Sequence, residues 1–522
     1  MQSALLLALL TIGQADPVFD VPALLKPPLE AKVLKTTEKD ELVTEELKFF
    51  SHNDGEKRIE IFALFTYPKE GKKLPAFVWN QGGLAQASTH WTEFGAKRGY
   101  AVLSIDFPIG GYRSTGGYPI NSGVELPENP KQAPIYHGAV ALLRAVSYLE
   151  TRPEVDAKRI GMAGSSWGGF YTTLQAGLDP RIKAAASMFG AGSLGLGNAW
   201  WDGSGPDPKR DAAFRQRWSG TLDPALRLPA SKAAIGWFTG TNDSFYWLPS
   251  VTETYRLATG PKQLALLPNW NHALDEALDE QVFRWLDAHL KGGEPLLGVS
   301  PLVVENREMR FIAKGKRPVK NAEVWVSFGE DAWASRYWQP LPAKRDGDGW
   351  LVRLAPVKAT ALVFGCVTDD DGNRSCTPLA AVPGTALAGP MTLPYDGCSM
   401  WCDQRGFRKT YHERHSYQLP KLEARGEKTI AKIVGQATIG PIFFSPGVNH
   451  RLSVEGKFAG ASAELVGIFD GKKVTQELNF LDDRIMSEFR PPEAKSARLD
   501  LVIRGAANGT TVVERVRFEP IE

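Results

Sequence analysis

The sequence predicts an α/β chain: a doubly wound, mostly parallel sheet followed by two β-sandwich domains. Three observations carry this. From about residue 42 to 292, strand-like apolar runs alternate with amphipathic helical patterns. After residue 300 the helical periodicity fades, and short β-rich runs recur between Gly, Asp and Asn turn clusters. The length, 522 residues, also exceeds the roughly 250–300 residues that one core holds.

The elements follow in order. "MQSALLLALLTIGQA" has an apolar run from Ala4 to Ile12 and then small-x-small residues at Gly13-Gln14-Ala15, which predicts a secretory signal over residues 1–15. The run is too short to span a bilayer. Export then implies a secreted or periplasmic protein. The predicted strands are 58–68, 74–81, 100–108, 158–165, 183–190, 233–240 and 263–270. Several are apolar throughout, as strands covered on both faces must be. One predicted helix carries Ala139, Leu142, Leu143 and Val146 on a single stripe. Another carries Leu278, Val282, Trp285, Leu286 and Leu290, and stops at Gly292-Gly293. The first domain is expected over 16–298, an immunoglobulin-like sandwich over 299–384 and a jelly-roll-like sandwich over 385–522. The Pro/Gly-rich stretch 380–397 marks the second boundary.

Composition excludes several classes. Lys+Arg 61 against Asp+Glu 59 gives a net charge of +2, so neither nucleic acid nor a membrane surface is an expected partner. The four cysteines fall in two close couples, Cys366 with Cys376 and Cys398 with Cys402. Pairing within each couple suits an oxidising compartment. Neither couple has the two-residue spacing of a zinc knuckle, so no metal is expected. "TDDDGNRS" (368–375) reads as a hairpin turn rather than a calcium loop.

The chemistry concentrates in "IGMAGSSWGGF", at the carboxyl end of a predicted strand, where open parallel sheets gather reactive groups. It satisfies G-x-S-x-G as Gly164-Ser165-Ser166-Trp167-Gly168. Only Ser166 fits, because centring on Ser165 would require Gly at 163 and 167, where Ala163 and Trp167 stand. Such glycines let chain pass close to a cramped turn that presents the serine at a helix start, where the Trp167 N–H can hold an oxyanion. A nucleophilic serine of this kind needs an acid and then a histidine later in the chain. Asp243 and His272 each follow a predicted strand end in that order. Asp223 and Asp275 are substitute acids. A second oxyanion donor is expected from "WNQGGLAQ", with Gly83 first and Gly82 or Leu84 as neighbours. His289 lies within the last helix, and the spacing of His412 and His415 does not make a zinc-helix pattern.

The stretches "RIGMAGSSWGGFYTTLQAGLDPRIKAAASMFGAG", "GTNDSFYWLP" and "LPNWNHALDE" resemble α/β-hydrolases of the prolyl oligopeptidase/dienelactone hydrolase branch, and more narrowly exported acetyl xylan esterase-like proteins. The resemblance covers roughly residues 45–295. It implies Ser166 as nucleophile, His272 as general base and acid, and Asp243 as its orienter. It also implies no cofactor, and small-molecule or polysaccharide esters as substrates. Gln81 stands where this family usually carries His before the two glycines. The insertion 195–220 should lie over the serine, with Trp200 and Trp201 as candidate stacking residues for a sugar or an aryl group. A serine peptidase and a non-catalytic carbohydrate-binding protein are the alternative readings.

Overall fold

A computed structural model describes residues 16–83, 85–110, 112–119, 124–202, 208–268, 270–272, 274, 276–305, 307–328, 333, 338–353, 360–383, 421–425, 428–433, 436–439, 449–469, 472–481, 483–492, 497–505 and 511–520. The signal segment, Leu84, Asp275, Cys398, Cys402, His412, His415 and the 384/385 boundary lie outside the described residues.

The chain divides into two compact units. The first comprises Met1–Thr239, Phe245–Ala265 and Leu274–Leu296. The second comprises Gly240–Ser244, Leu266–Ala273 and Leu297–Glu522. The two short segments that leave the first unit are the loops after two sheet strands, and they fall within the expected first domain, 16–298.

The large sheet has nine strands: β1 (Lys32–Lys39), β2 (Leu42–Asp54), β3 (Lys57–Pro68), β4 (Leu74–Asn80), β5 (Ala101–Ile105), β6 (Val155–Ser165), β7 (Ile182–Met188), β8 (Ala234–Gly240) and β9 (Lys262–Leu267). Their order is β1-β2-β3-β5-β4-β6-β7-β8-β9. The pairs β1–β2, β2–β3 and β3–β5 are antiparallel. From β5 through β4, β6, β7 and β8 the pairing is parallel. Ile235 N–H donates to Pro261 O at 2.9 Å and Thr241 N–H to Leu267 O at 2.9 Å, which continues the parallel run to β9. Every residue of β5 and β8 is buried, which is why these segments read as unbroken apolar runs instead of alternating ones.

Among the described residues eight α-helices accompany the sheet: α1 (Val21–Leu25), α2 (Thr89–Ala96), α3 (Pro134–Thr151), α4 (Trp167–Leu178), α5 (Ala199–Asp202), α6 (Ala212–Ser219), α7 (Leu248–Leu257) and α8 (Glu276–Leu290). Among the described residues none is long and apolar enough to cross a membrane, which leaves strand-built spans unaddressed. The predicted helices correspond to α3 and α8. In α3 the apolar stripe widens until residues Ile135 to Val146 are all buried. Buried Arg144 is accommodated there because its guanidinium donates to Leu25 O at 3.1 Å and Pro27 O at 2.6 Å, so its charge has partners.

From Leu297 on, the regular elements of the described residues are all β-strands. Strands 303–305, 308–311, 349–353 and 344–346 form one sheet; 339–342, 319–328, 361–369 and 374–376 form another, with 380–382 paired to 361–369. Their inner faces share a core containing Met309, Phe311, Val324, Val326, Val352 and Val363. A side-chain carbon at Gly365 would come 2.9 Å from the Phe311 ring, so the sheets meet closely there. Cys366 and Cys376 are bonded across a hairpin at directly opposed positions. "TDDDGNRS" forms the turn of that hairpin: the Asp369 carboxylate accepts from the N–H groups of Asp371 and Asn373 at 3.1 and 2.8 Å. Farther along, a six-stranded sheet (421–425, 428–433, 511–520, 450–457, 484–489, 480–481) and a four-stranded sheet (436–439, 497–504, 462–469, 472–478) follow. Leu499, Leu501 and Ile503 alternate into their core.

Candidate active site

The junction between β6 and α4 makes unusual backbone demands. Ser165 is the last residue of β6 and Ser166 the cap of α4, with φ 57° and ψ −120°. A positive φ in a serine is held only where the surroundings over-determine it. Here the Ser166 N–H donates to Met188 O at 2.9 Å, and Ser166 O accepts from Phe170 N–H at 2.9 Å. The turn is pressed against β4. A carbon on Gly164 would sit 2.6 Å from Asn80 Cβ, and one on Gly168 would sit 2.1 Å from Asn80 O. On the other side, Gly169 lies against Met188 O, with only 2.5 Å to an added carbon. The glycines are therefore required by close approach, and the approach brings the end of β4 to the serine.

The loop leaving β4 runs beside this turn. A carbon on Gly82 would be 3.5 Å from Ser166 Cβ, and one on Gly83 would be 2.8 Å from Trp167 Cδ1. Gly83 and Trp167 are thus neighbours at the start of α4, where helix N–H groups have no partner inside the helix and the dipole favours negative charge. Gln81 points the other way: it is buried and its Nε2 donates to Ser104 Oγ at 2.8 Å, tying the loop to β5. It holds the loop and leaves the serine's surroundings to backbone groups.

Asp243 and His272 lie on the loops that follow β8 and β9, and both belong to the second unit. His272 Nδ1–H donates to Asp243 Oδ2 at 2.9 Å, the carboxylate side chain being 1% exposed and the imidazole 11%. Asn271, which sequence reasoning passed over, fixes both loops. Its Oδ1 accepts from the N–H of Ser244 at 3.0 Å and of His272 at 2.7 Å. Its only signal in the sequence is its place directly before His272. Asp223, the substitute acid, is otherwise employed, accepting from the N–H groups of Ser193, Leu194 and Ala225. Burial nevertheless raises its carboxyl pKa above the ordinary range.

Trp200 and Trp201 have opposite fates. Trp200 is half-buried, 5.2 Å from the Trp167 ring and 5.6 Å from Phe245. Trp201 is 1% exposed and packed edge-on against Phe214 and Trp218 at 5.3 Å each. Its assignment to substrate is corrected: it packs the insertion, because adjacent residues of α5 point about 100° apart.

Among the described residues no cluster of three or more His, Cys, Asp or Glu side chains could hold a metal. A mostly apolar cavity opens next to the turn, bounded by Gly82, Gly83, Trp167 and residues from the ends of β5, α3 and α4.

Known proteins align with this part of the chain. Residues 77–279 match the dienelactone hydrolase family. The chain is 26% identical over 148 residues to an acetyl esterase of Xylanibacter ruminicola, covering 25% of this chain and 33% of that protein. It is 27% identical over 250 residues to the acylamino-acid-releasing enzyme of Rattus norvegicus, covering 43% and 32%. The matches thus span about a third of the length of these relatives. Among solved structures, acetyl xylan esterase 1 of Thermoanaerobacterium sp. matches with TM-score 0.45 and 18% identity over 51% of this chain and 90% of that one. The glucuronoyl esterase of Solibacter usitatus matches with TM-score 0.37 and 16% identity over 50% and 86%. Residues 77–279, which carry the serine turn and both loops on the sheet of an α/β-hydrolase fold, are thus a domain of the dienelactone hydrolase family.

Proposed function

We propose that the protein is a serine esterase that hydrolyses short-chain, acetyl-type carboxylic esters, including esters carried on plant polysaccharides, through an acyl-enzyme. The observation that carries this reading is the strained backbone of Ser166 (φ 57°) at the strand-to-helix junction, a conformation with a cost of order 1–3 kcal/mol. The Nδ1–H bond from His272 to Asp243 supports it, since a carboxylate on Nδ1 assigns Nε2 the role of base. The acetyl esterase relative supports the acyl class.

In the proposed mechanism His272 Nε2 takes the Ser166 Oγ proton as Oγ attacks the ester carbonyl. The oxyanion is held by the backbone N–H groups of Trp167 and Gly83, each such donor typically contributing about 10²–10³ in turnover. The imidazolium returns the proton to the leaving alkoxide, and alcohol departs. Water, deprotonated by the same Nε2, then attacks the acyl-enzyme and releases the acid and Ser166. No step calls on a cofactor. Trp200, beside Trp167, offers a face on which the alcohol sugar stacks. Export to the periplasm or the medium belongs to the same proposal, because that is where such esters are met.

The test is hydrolysis of p-nitrophenyl acetate and butyrate by the purified protein beside Ser166→Ala and Ser165→Ala. The reading predicts a loss of at least about 10³-fold in kcat for Ser166→Ala and retained activity in Ser165→Ala. An inert wild type, or an active Ser166→Ala, refutes it. The rat relative makes N-acyl peptides the next substrates in that event.

A further inference from the structure

The cavity beside Ser166 differs from an ordinary packing gap in one respect. Its walls are apolar side chains, among them Phe107, Ile109 and Ile135, together with the rings of Tyr118 and Tyr171. Both tyrosines are held rigidly. The Tyr118 hydroxyl donates to Asp54 Oδ2 at 2.6 Å, and its ring stacks 3.9 Å from His137. The Tyr171 ring stacks on Phe107 at 4.7 Å. The Tyr171 hydroxyl, by contrast, has no hydrogen-bond partner among the described residues, although the residue is only 7% exposed. It lies over Gly138, another wall residue, so closely that a side-chain carbon there would come within 2.3 Å of the oxygen. Tyr171 lines the cavity, and a bound group that strips water from its hydroxyl without offering a polar atom leaves it unpaired, at a cost of about 1–3 kcal/mol.

We propose that this cavity is the acyl pocket and that the Tyr171 hydroxyl makes it select short acyl chains bearing an oxygen substituent, hydroxy- or alkoxyacyl groups, over plain alkyl chains. The inference rests on the esterase reading. The acyl group fits better than the alcohol for two reasons. The cavity adjoins Gly83 and Trp167, the proposed oxyanion donors, and the acyl carbonyl stays with those donors through both half-reactions while the alcohol leaves after the first. Its lining also offers one available side-chain hydroxyl, that of Tyr171, where a sugar would bring several. Tyr171 is a specificity residue here and takes no part in the proton transfers. A site that hydrogen-bonds a substrate oxygen discriminates against an analogue lacking it, because its own polar group is then left unpaired.

The test compares p-nitrophenyl methoxyacetate and 3-hydroxybutyrate with p-nitrophenyl butyrate on the wild type and on Tyr171→Phe. Methoxyacetyl and butyryl chains have the same length, and taking the ratio of kcat/KM values in each protein cancels the intrinsic reactivity of the esters. Tyr171→Phe should lower the oxygenated-to-butyrate ratio about fivefold for at least one of the oxygenated esters. Unchanged ratios for both overturn the selectivity. Ile109→Trp, at a half-buried wall position, should lower butyrate relative to acetate at least fivefold by filling the cavity, and an unchanged acetate-to-butyrate ratio overturns the pocket assignment even if Tyr171→Phe does not fold. Wild-type protein inert on every ester, or a fully active Ser166→Ala, removes the esterase reading itself and the inference with it; an active wild type with a dead Ser166→Ala and unmoved ratios removes only the inference.

Discussion

His52 and His137 form a buried pair in the first unit, His52 Nε2 and His137 Nδ1 standing 2.8 Å apart, with Ser51 Oγ on the far nitrogen of His52. Asp54, Lys57, Tyr118 and Tyr136 are the other ionisable groups around them. Burial pushes both pKa values down from 6.5 to about 4, aided at His52 by its partner and at His137 by Lys57, and opposed in each by Asp54. Both rings are therefore neutral in the folded protein between pH 4 and 6.5 while the unfolded chain binds protons there. Stability is full above the unfolded value and falls as pH drops through that window, by up to about 1.4 kcal/mol per histidine per pH unit. Urea unfolding at pH 7, 5.5 and 4.5 should show this slope, and His137→Gln should flatten it; an equal slope in the variant contradicts the assignment. At this scale the sequence spoke unevenly. Ser166 was distinguishable from Ser165 because the flanking glycines fit only one register. Trp200 and Trp201 were indistinguishable, since only the packing of α5 separates a half-buried ring from a core one. Asn271 carried no signal beyond its place before His272, and Tyr171 none, because their roles depend on loops and helices brought near them by the fold.

Among elements, β3 through β9 were legible because burial on both faces leaves long apolar runs that no other arrangement explains. β1 was not: "KVLKTTEK" is exposed along its whole length and has no apolar face to read. The helix α4 was foreseen only as the start of a helix after Ser166. It is buried nearly all round, from Gly168 to Leu178, so it lacks the polar face on which helical periodicity depends. Its junction with β6 also sets the sharpest requirement in the fold. A methyl group on Gly168 would overlap Asn80 O, at 2.1 Å, with backbone on both sides of the contact. Gly168→Ala should destabilise the first unit by about 3 kcal/mol or more, read as the urea midpoint of that unit. A loss below about 1 kcal/mol would mean the turn can open without cost, and the account of the serine's strained backbone would then lose its support.

Over the whole molecule, the change from α/β to all-β near residue 297 was readable as a change in period, from helical stripes to short runs between turns. The assignment of Gly240–Ser244 and Leu266–Ala273 to the second unit was not, because it depends on tertiary contacts that leave no trace in local pattern. The bonded couple Cys366–Cys376 closes a loop with a sequence separation of 10, which in the loop-entropy picture contributes about 2–3 kcal/mol to the stability of the unit that holds it. Thermal unfolding of the Cys366→Ser/Cys376→Ser double variant should show the all-β transition at lower temperature with esterase activity at 25 °C kept; an unmoved transition contradicts a stabilising role for the bond. The central claim remains that one serine of the adjacent pair is a nucleophile. The direct measurement is peptide mass spectrometry after treatment with a fluorophosphonate, which bonds only to activated serines. The account predicts a single phosphonyl adduct on Ser166, retained in Ser165→Ala and absent in Ser166→Ala. An adduct on Ser165, or an unlabelled protein under conditions that label a known serine esterase, would contradict it.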